Sequence, residues 1–341
     1  MHESPLYAAI DLHSNNSVLS ILDSSDVVIY ERRLKNHLGD VLAALEPHRE
    51  RIVAVAVEST FNWYWLVDGL EEAGYEARLV NTSAVQQYDG LKYSDDRHDA
   101  RWLAQLMRLG ILPVGYIMPK ELRATRDLLR KRLHLVQQRT ANILSLENLK
   151  QRNEGVRLTV NDLRSLTVEA LTRNEANPHR ALALSTTLEE IVALGERVDK
   201  LESVILQTLR PDPTWQHLKT IWGVGPILAM TIALETGPVG RFASPGDYAS
   251  YCRCVRTQRL SNGKSKGKGN AKCGNRYLAW AWVEAANFAI RSYPAARRFY
   301  EHKAAKSNKV LARKALAHKL ARAGWHVMHS GVKFDPARVF R

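Results

Sequence analysis

The feature that most constrains the fold is a short, almost entirely β-branched and apolar run, Ile52 to Val57 (IVAVAV). Such a run predicts a strand that is buried on both faces of a sheet, because a half-exposed strand would alternate apolar and polar residues. An amphipathic helical pattern follows from Trp63 to Ala73 and is closed by Gly74. A sheet with helices packed on its faces is therefore expected in this part of the chain.

The neighbouring segments supply further strands for this sheet. Leu6 to Leu12 and Ser17 to Leu22 are apolar runs separated by the polar turn His13-Ser14-Asn15-Asn16, which is typical of a β-hairpin. Val27 to Leu34 predicts a third strand, residues 37–45 a helix and residues 76–80 another strand. The sequence thus predicts a mixed α/β domain with the order three strands, helix, strand, helix, strand, helix.

Two long helical patterns follow, at about Leu122–Leu149 and Leu182–Leu209, with a bend expected near residues 173–178. In the second pattern, apolar residues alternate spacings of three and four, which makes a heptad seam. The seam fits a helix packed inside its own chain and a dimerising coiled coil equally well. Its members are Ile191, Leu194, Val198, Leu201 and Ile205.

A glycine-rich turn opens the last part of the chain. Pro211 and Pro213 end the second long helix and mark a domain boundary. Gly223-Val224-Gly225 then lies between two apolar helical stretches, so its backbone N–H groups can face a phosphate at a helix N-terminus. This element resembles a helix-hairpin-helix, which binds duplex backbone, although an ordinary helix-helix turn has the same pattern.

The excess positive charge is confined to the last quarter of the chain. The 341 residues carry a net charge of +14, but Arg253 to Arg341 contain 21 basic and 3 acidic residues, a local net charge of +18. Self-repulsion of this kind adds nothing to folding stability, so nucleic acid is the expected partner, with a merely solvated basic face as the alternative. Three cysteines, no secretory signal and no long apolar segment predict a cytoplasmic protein that is not associated with a membrane.

Four carboxylates stand out by their positions. Asp11 and Glu58 each come at the end of a predicted strand, and Asp96 and Asp99 share one face at the start of a predicted helix. If the helix packs across the strand ends, the four acids converge and need a cation. Oxygen ligands suit Mg²⁺, and two such ions about 3.5 to 4 Å apart are the usual clamp for phosphodiester chemistry. The twelve histidines and the three cysteines show no metal-ligand spacing.

Each acid also has an ordinary structural role available. Asp11 fits a turn, Glu58 fits the N-cap of the next helix, and Asp96 and Asp99 fit first-turn partners of the helix dipole. These roles explain each residue singly but not the four positions together. An acid directly after a buried strand is best explained by a site at the edge of the sheet.

A basic loop from Arg253 to Arg276 is the second informative segment. It contains no acid and almost no apolar residue between Ser261 and Ala271, so it is either a disordered tail or a loop that orders on a phosphate backbone. Ser261 is a candidate nucleophile because cationic neighbours favour an alkoxide, and Ser244 and Ser265 compete with it. The candidate nucleic-acid-binding residues are Arg253, Arg256, Arg259, Lys264, Lys266, Lys268, Lys272 and Arg276.

With these residues in view, the chain resembles the IS110 family of insertion-sequence transposases, most closely its IS1111 branch. The resemblance covers nearly the whole chain. It rests on AIDLH, AVEST, DDRHDARWLAQL, GVGPILAMTIALETG, RFASPGDYASYCRCV and RLSNGKSKGKGNAKCGNRYLAWAWVEAANFA.

The resemblance implies a RuvC-like, RNase-H-type domain over residues 1–120, whose four acids fall on Asp11, Glu58, Asp96 and Asp99. It implies a long-helix, coiled-coil region over residues 121–212 and a mainly α, basic transposase domain over residues 213–341 that carries an essential serine at Ser261. It further implies an RNA-guided recombinase that joins donor and target DNA through Mg²⁺ and a phosphoserine link. The active sites would combine domains from different subunits of a dimer or tetramer.

Two other functions compete with this interpretation. One is a RuvC-like, Mg²⁺-dependent junction-resolving nuclease, in which water attacks and the strands are not rejoined. The other is an RNA-binding protein whose acids are purely structural.

Overall fold

The computed structural model describes residues 4–85, 95–208, 213–255, 260–262, 264–265 and 273–340. The chain divides into two compact units, Met1–Lys120 and Glu121–Arg341. The finer three-part division expected from the sequence stays a prediction, and the two units are described separately.

The first unit is built on a five-stranded sheet with the order β3-β2-β1-β4-β5. Strands β1 to β3 form an antiparallel meander, while β4 and β5 run parallel to β1. The predicted polar turn closes the first hairpin, where the N–H of His13 donates to the carbonyl of Asn16 at 3.0 Å. The strands are β1 (Leu6–Leu12), β2 (Asn16–Leu22), β3 (Val28–Lys35), β4 (Ile52–Glu58) and β5 (Ala77–Val80).

Helices cover both faces of this sheet, as the apolar run in β4 predicts. On one face, α1 (Leu38–Leu45) and α2 (Tyr64–Glu72) pack against large side chains of β1, β2 and β4. On the other face, α3 (Asp96–Arg108) packs against alanines of β1 and β4 and against β2. A short 3-10 helix, Glu46–Arg51, leads into β4.

The small residues on the α3 face decide where the acids point. Ala9, Ala54 and Ala56 are fully buried under Leu103, Ala104 and Met107 of α3. Side chains alternate along a strand, so Asp11 lies on the same face as Ala9, and Glu58 on the same face as Ala56. Both carboxylates are therefore directed towards the side of the sheet that carries α3.

The second unit begins with the two long helices, α4 (Lys120–Glu154) and α7 (Pro178–Thr208). The break expected near residues 173–178 is present directly before α7, but the connection between the long helices also contains two short helices that the sequence did not predict, α5 (Val160–Ser165) and α6 (Val168–Thr172). Thr159 and Thr167 cap their N-termini through their side chains. These two short helices are stabilised by packing, because Leu158 and Leu171 are buried against Leu146 of α4 and against α7.

The heptad seam of α7 packs against α4 within the chain. Leu194 and Val198 are buried against Leu135, and Ile205 is fully buried against Leu129. Of the two interpretations that the sequence left open, the structure thus shows the intramolecular one.

The remaining helices enclose a core centred on Trp282, which is fully buried and donates its Nε1–H to the Tyr248 hydroxyl at 3.2 Å. Gly324 makes room for it, since a Cβ there would lie 2.4 Å from the Trp282 ring. A 3-10 turn, Val239–Arg241, and a two-stranded hairpin, β6 (Leu260–Ser261) with β7 (Lys264–Ser265), complete the unit. The helices are α8 (Pro213–Leu218), α9 (Pro226–Thr236), α10 (Pro245–Tyr251), α11 (Arg276–Ser292), α12 (Pro294–Lys306), α13 (Lys309–Ser330) and α14 (Pro336–Val339).

The coarse fold class is confirmed: a mixed α/β sheet comes first and a mostly helical region follows. In the part of the chain that the structure describes, no helix combines the length and the hydrophobicity that a bilayer crossing requires.

Candidate active site

Two of the four predicted acids meet at the carboxyl end of the sheet. Strands β1 and β4 are parallel neighbours with Ile10 opposite Val57, which places the next residues, Asp11 and Glu58, side by side. Asp11 is only 3% exposed. Glu58 does not cap the following helix, because α2 begins six residues later behind Trp63. The capping role that the sequence allowed for Glu58 is therefore wrong.

Helix α3 brings the other two acids to the same place. It begins at Asp96, and the side chain of Asp95 caps it by accepting the N–H of His98 at 2.8 Å. Asp96 and Asp99 lie almost one turn apart on the same face. The structure therefore gathers Asp11, Glu58, Asp96 and Asp99 at one end of the sheet.

A histidine that sequence reasoning missed lies among these acids. The Nε2 atom of His13 is 3.2 Å from Asp11 Oδ2 and also 3.2 Å from Asp96 Oδ1. The carbonyl oxygen of His13 accepts hydrogen bonds from Asn36 and Asn62, which hold its turn in place. The spacing Asp-x-His at the end of β1 was the available signal, but it becomes meaningful only once Asp96 is known to be close.

The charge of the cluster is uneven. Burial, a hydrogen bond with Asp11 and the negative charges of Asp11 and Asp99 raise the pKa of Glu58 from its usual 4.5 to about 8. At the other end, a hydrogen bond of 2.5 Å from Arg33 lowers the pKa of Asp96, and His13 acts in the same direction. Negative charge is thus in excess around Glu58 and Asp11 and is partly compensated around Asp96.

These residues fit a divalent cation. Asp11 Oδ2 is buried and has no hydrogen-bond partner among the described residues, since His13 Nε2 is close but not aligned for a bond. Ligand atoms of Asp11, His13 and Asp96 all lie within 4.8 Å of one another. A buried carboxylate oxygen without a partner is costly unless a cation or a proton accompanies it. Carboxylate oxygens are the ligands that hard divalent ions prefer.

Two bidentate ion pairs fix α3 on the sheet. Arg101 donates to both carboxylate oxygens of Glu31 on β3, the Nη2 contact being 2.8 Å, and the side chain of Glu31 is only 9% exposed. Arg108 donates to both oxygens of Asp26 at 2.6 and 2.7 Å. Planar arginine pairs of this kind restrict orientation as well as distance, so they hold Asp96 and Asp99 in register with the strands.

The serine lies on a different element, the small hairpin of the second unit. The backbone of Ser261 pairs with that of Lys264 across the turn, and Asn262 takes the left-handed conformation there with φ 51°. Of its competitors, Ser244 is the N-cap of α10 and accepts the N–H of Asp247 at 3.2 Å, as its sequence context predicts. Ser265 belongs to β7.

Three of the eight predicted nucleic-acid-binding residues can be placed. Lys264 is exposed on β7. Arg276 is exposed at the start of α11, where it donates to the Tyr277 hydroxyl at 2.8 Å. Arg253 donates to the Gly274 carbonyl and so ties the two ends of the loop together, a structural contact that the sequence did not predict. The other five, Arg256, Arg259, Lys266, Lys268 and Lys272, lie outside the described residues.

Two of the three cysteines of this region are packing residues. Cys252 and Cys254 are buried, and burial raises the pKa of both thiols, that of Cys254 to about 12. Cys273 is exposed. Protonated, buried thiols are poor nucleophiles, so Cys252 and Cys254 are not candidates for the chemistry of this unit.

Comparison with known proteins gives two family matches. Residues 8–151 match the DEDD transposase domain of the IS110 type, and residues 215–301 match the domain described as "Transposase IS116/IS110/IS902 family". The first match contains all four acids, and the second contains Ser261. A DEDD transposase domain implies an RNase-H-like fold and the use of a divalent metal ion.

Similar curated proteins have related names. A probable family 20 transposase of Pseudomonas aeruginosa is 25% identical, over 79% of this chain and 80% of its own length. The transposase of insertion sequence IS1328 of Yersinia enterocolitica is 23% identical, over 96% of this chain and 97% of its own. The IS1111A transposase of Coxiella burnetii is also 23% identical, over 83% and 77%.

Proposed function

Because the chain belongs to the IS116/IS110/IS902 family of transposases, we propose that it cuts donor and target DNA and rejoins them through a covalent phosphoserine link. The observation that carries this proposal is the acid cluster around the buried Asp11, whose Oδ2 has no hydrogen-bond partner among the described residues. A site of this kind at the edge of an RNase-H-like sheet suits phosphodiester chemistry.

In this proposal Asp11, Glu58, Asp96 and Asp99 hold Mg²⁺. When bound there, the ion supplies positive charge that neutralises the acids and a scissile phosphate. The raised pKa of Glu58 supports this assignment, since burial and the nearby charges of Asp11 and Asp99 both disfavour its anionic form unless a cation is bound. Asp96 is held in position by His13, whose Nε2 is 3.2 Å from Oδ1, and by Arg33, whose Nη2 is 2.5 Å from Oδ2.

Ser261 is proposed as the nucleophile. Its Oγ loses a proton and attacks phosphorus, so that an Oγ–P bond forms while the bond from phosphorus to the leaving strand breaks and that strand's oxygen takes up a proton. A hydroxyl of the new strand then attacks the same phosphorus, and the serine leaves. One phosphate ester replaces another at each step, so rejoining needs no ATP, and the chain has no GxxxxGK[ST] motif.

The nucleic-acid partners are proposed from the distribution of positive charge along the chain. The net charge of +18 in residues 253–341 favours binding to a phosphate backbone. Such charge carries no base-specific information by itself. A non-coding guide RNA that pairs with donor and target DNA would provide the sequence choice, leaving the protein to contact backbone and shape. A dimer or tetramer would let the acids of one subunit work with the serine of another.

A trapping experiment tests this function. The purified chain with its copurifying RNA, Mg²⁺ and a nicked suicide DNA substrate should give a covalent protein–DNA adduct, and its phosphopeptide should contain Ser261. The adduct should disappear in Ser261→Ala and remain in Ser265→Ala. Efficient cleavage that survives Ser261→Ala would instead identify a nuclease that uses water, and recombination unaffected by Asp11→Asn would leave the acids with a structural role.

A further inference from the structure

A cavity of about 500 Å³ opens on the second unit, beside the start of α9. Aromatic rings of α11 and of the residue that follows it line one side, and the glycine turn before α9 lines the other. The volume is in the range that holds a small organic ligand. The aromatic residues are Trp280, Phe288 and Tyr293.

The two tryptophans of α11 have different environments. The sequence of α11 is apolar nearly all round, a pattern that predicts burial of both rings, and Trp282 is indeed fully buried. Trp280 is only half-buried, and its side chain lines the cavity. Phe288, two turns further along α11, is 43% exposed at the same cavity. Exposed aromatic surface that faces a common cavity marks a binding site more often than a packing defect.

The third ring is held rigidly. Tyr293 stacks on Trp222 with centroids 4.6 Å apart and planes within 7°, and Trp222 stacks in turn on Phe340. The wall of the cavity is therefore supported from behind by two further rings. A preorganised aromatic wall loses little side-chain entropy when a flat ligand stacks on it.

The rim of the cavity is positively charged. Lys219 lies with its Nζ 4.0 Å from the centre of the Trp215 ring, and no carboxylate among the described residues pairs with it. The other charges of the lining, Arg132 and Glu202, pair with each other at 2.8 Å and cancel. Gly225, the N-cap of α9, has open space where a side chain would lie, so the positive end of that helix also faces the opening.

We propose that this cavity binds one unpaired nucleotide, whose base stacks against Trp280 and Phe288 and whose phosphate lies beside Lys219. The flat rings can stack on a base, and the single uncompensated cation at the rim can pair with the phosphate joined to it. An apolar ligand would leave that cation without an anionic partner. The nucleotide comes from single-stranded RNA or from an unpaired DNA strand. The inference rests on the proposed function, because a nucleic-acid substrate brings such nucleotides to this unit.

Crosslinking tests this proposal with both sources. Single-stranded RNA and single-stranded DNA, each of 20 nucleotides and carrying 5-iodouracil, are irradiated separately with the full chain, and the crosslinked peptides are identified by mass spectrometry. The proposal predicts a crosslink within the segment from Trp280 to Tyr293, and the arm that gives it identifies the source. Crosslinks confined to other segments in both arms would overturn it.

Matched variants separate stacking from folding. Phe288→Leu and Trp280→Leu keep an apolar side chain but remove the ring, and each should weaken binding of the crosslinking strand about fivefold or more. Phe61→Leu, the same change at a residue of the first unit that is 86% exposed, should keep the wild-type crosslink. Wild-type affinity in both ring variants, with unchanged melting temperatures, would refute the proposal.

The suicide-substrate assay distinguishes the two proposals. A crosslink in the cavity without any Ser261 adduct would leave the nucleotide site standing and overturn the recombinase mechanism. An adduct of normal yield in a protein whose crosslinks all lie elsewhere would do the reverse.

Discussion

The acid cluster and the serine hairpin place reactive groups in opposite ways. The acids project from two buried neighbouring strands and from a helix that arginine pairs fix on the sheet. Ser261 sits on a hairpin of two-residue strands inside a loop that carries eight cations. Anions that must share an ion need a scaffold that holds them together against repulsion, whereas cations that bind a polyanion are organised by the polyanion itself.

Removing a central acid should have the largest effect. Asp11→Asn preserves shape and deletes one charge of the cluster, so strand cleavage should fall about a thousandfold or more. Above about pH 8, where Glu58 is charged as well, the same variant should also melt at a higher temperature without metal, because the repulsion between the two carboxylates is relieved. Asp40→Asn, a change of the same kind at an exposed position on α1, is the control and should cleave normally. Wild-type cleavage by Asp11→Asn would end the metal hypothesis.

Neutralising the basic loop tests whether its cations contact phosphates. Changing Lys264, Lys266 and Lys268 together to Gln should flatten the slope of log affinity against log salt by about two units, since each phosphate contact contributes about 0.7 to 0.9. Lys120→Gln removes a cation that is paired with Glu72 in the first unit, and the slope should then stay as in the wild type. An unchanged slope in the triple variant would remove this loop from the interface.

Loosening α3 should weaken the scaffold of the acids. Arg101→Ala leaves the nearly buried Glu31 with the weaker contact of Arg97 at 3.7 Å as its ion pair among the described residues, so the free energy of unfolding should fall by about 1 to 3 kcal/mol. Arg78→Ala, which breaks the more exposed pair with Glu76, should cost less than about 1 kcal/mol. Urea titration of both variants measures the difference. Equal losses would show that the Arg101 pair does not hold the helix.

The pH dependence of stability tests the charge state of the acid cluster. In the folded protein Glu58 keeps its proton up to about pH 8, whereas the unfolded chain releases it near 4.5. This group therefore contributes stability below pH 4.5 that is lost as the pH rises to about 8. Melting curves without metal should show this decline, Glu58→Gln should reduce it, and added Mg²⁺ should raise the melting temperature most at high pH. A stability that rises through this window and is unaffected by Glu58→Gln would contradict the assigned repulsion.

Local patterns predicted most of the first unit. The alternation and β-branching of residues 6–35 and 52–58 gave the strands, and the spacing of Asp96 and Asp99 gave their shared helix face. His13 and Arg33 were missed, because their contacts with Asp96 depend on strand order and on where α3 docks, which no local pattern encodes. Trp280 was missed for a similar reason. Its helix is apolar nearly all round, and only tertiary packing decides which ring is covered.

The central claim is that four acids distant in the sequence hold divalent ions, and a titration with Mn²⁺, followed by the loss of its free electron paramagnetic resonance signal, tests this most directly. The account predicts one or two ions per chain, displaced by Mg²⁺, with affinity reduced about tenfold or more in Asp11→Asn and in Glu58→Gln. Absence of stoichiometric binding by the wild-type chain, or an affinity in both variants equal to that of the wild type, would contradict it.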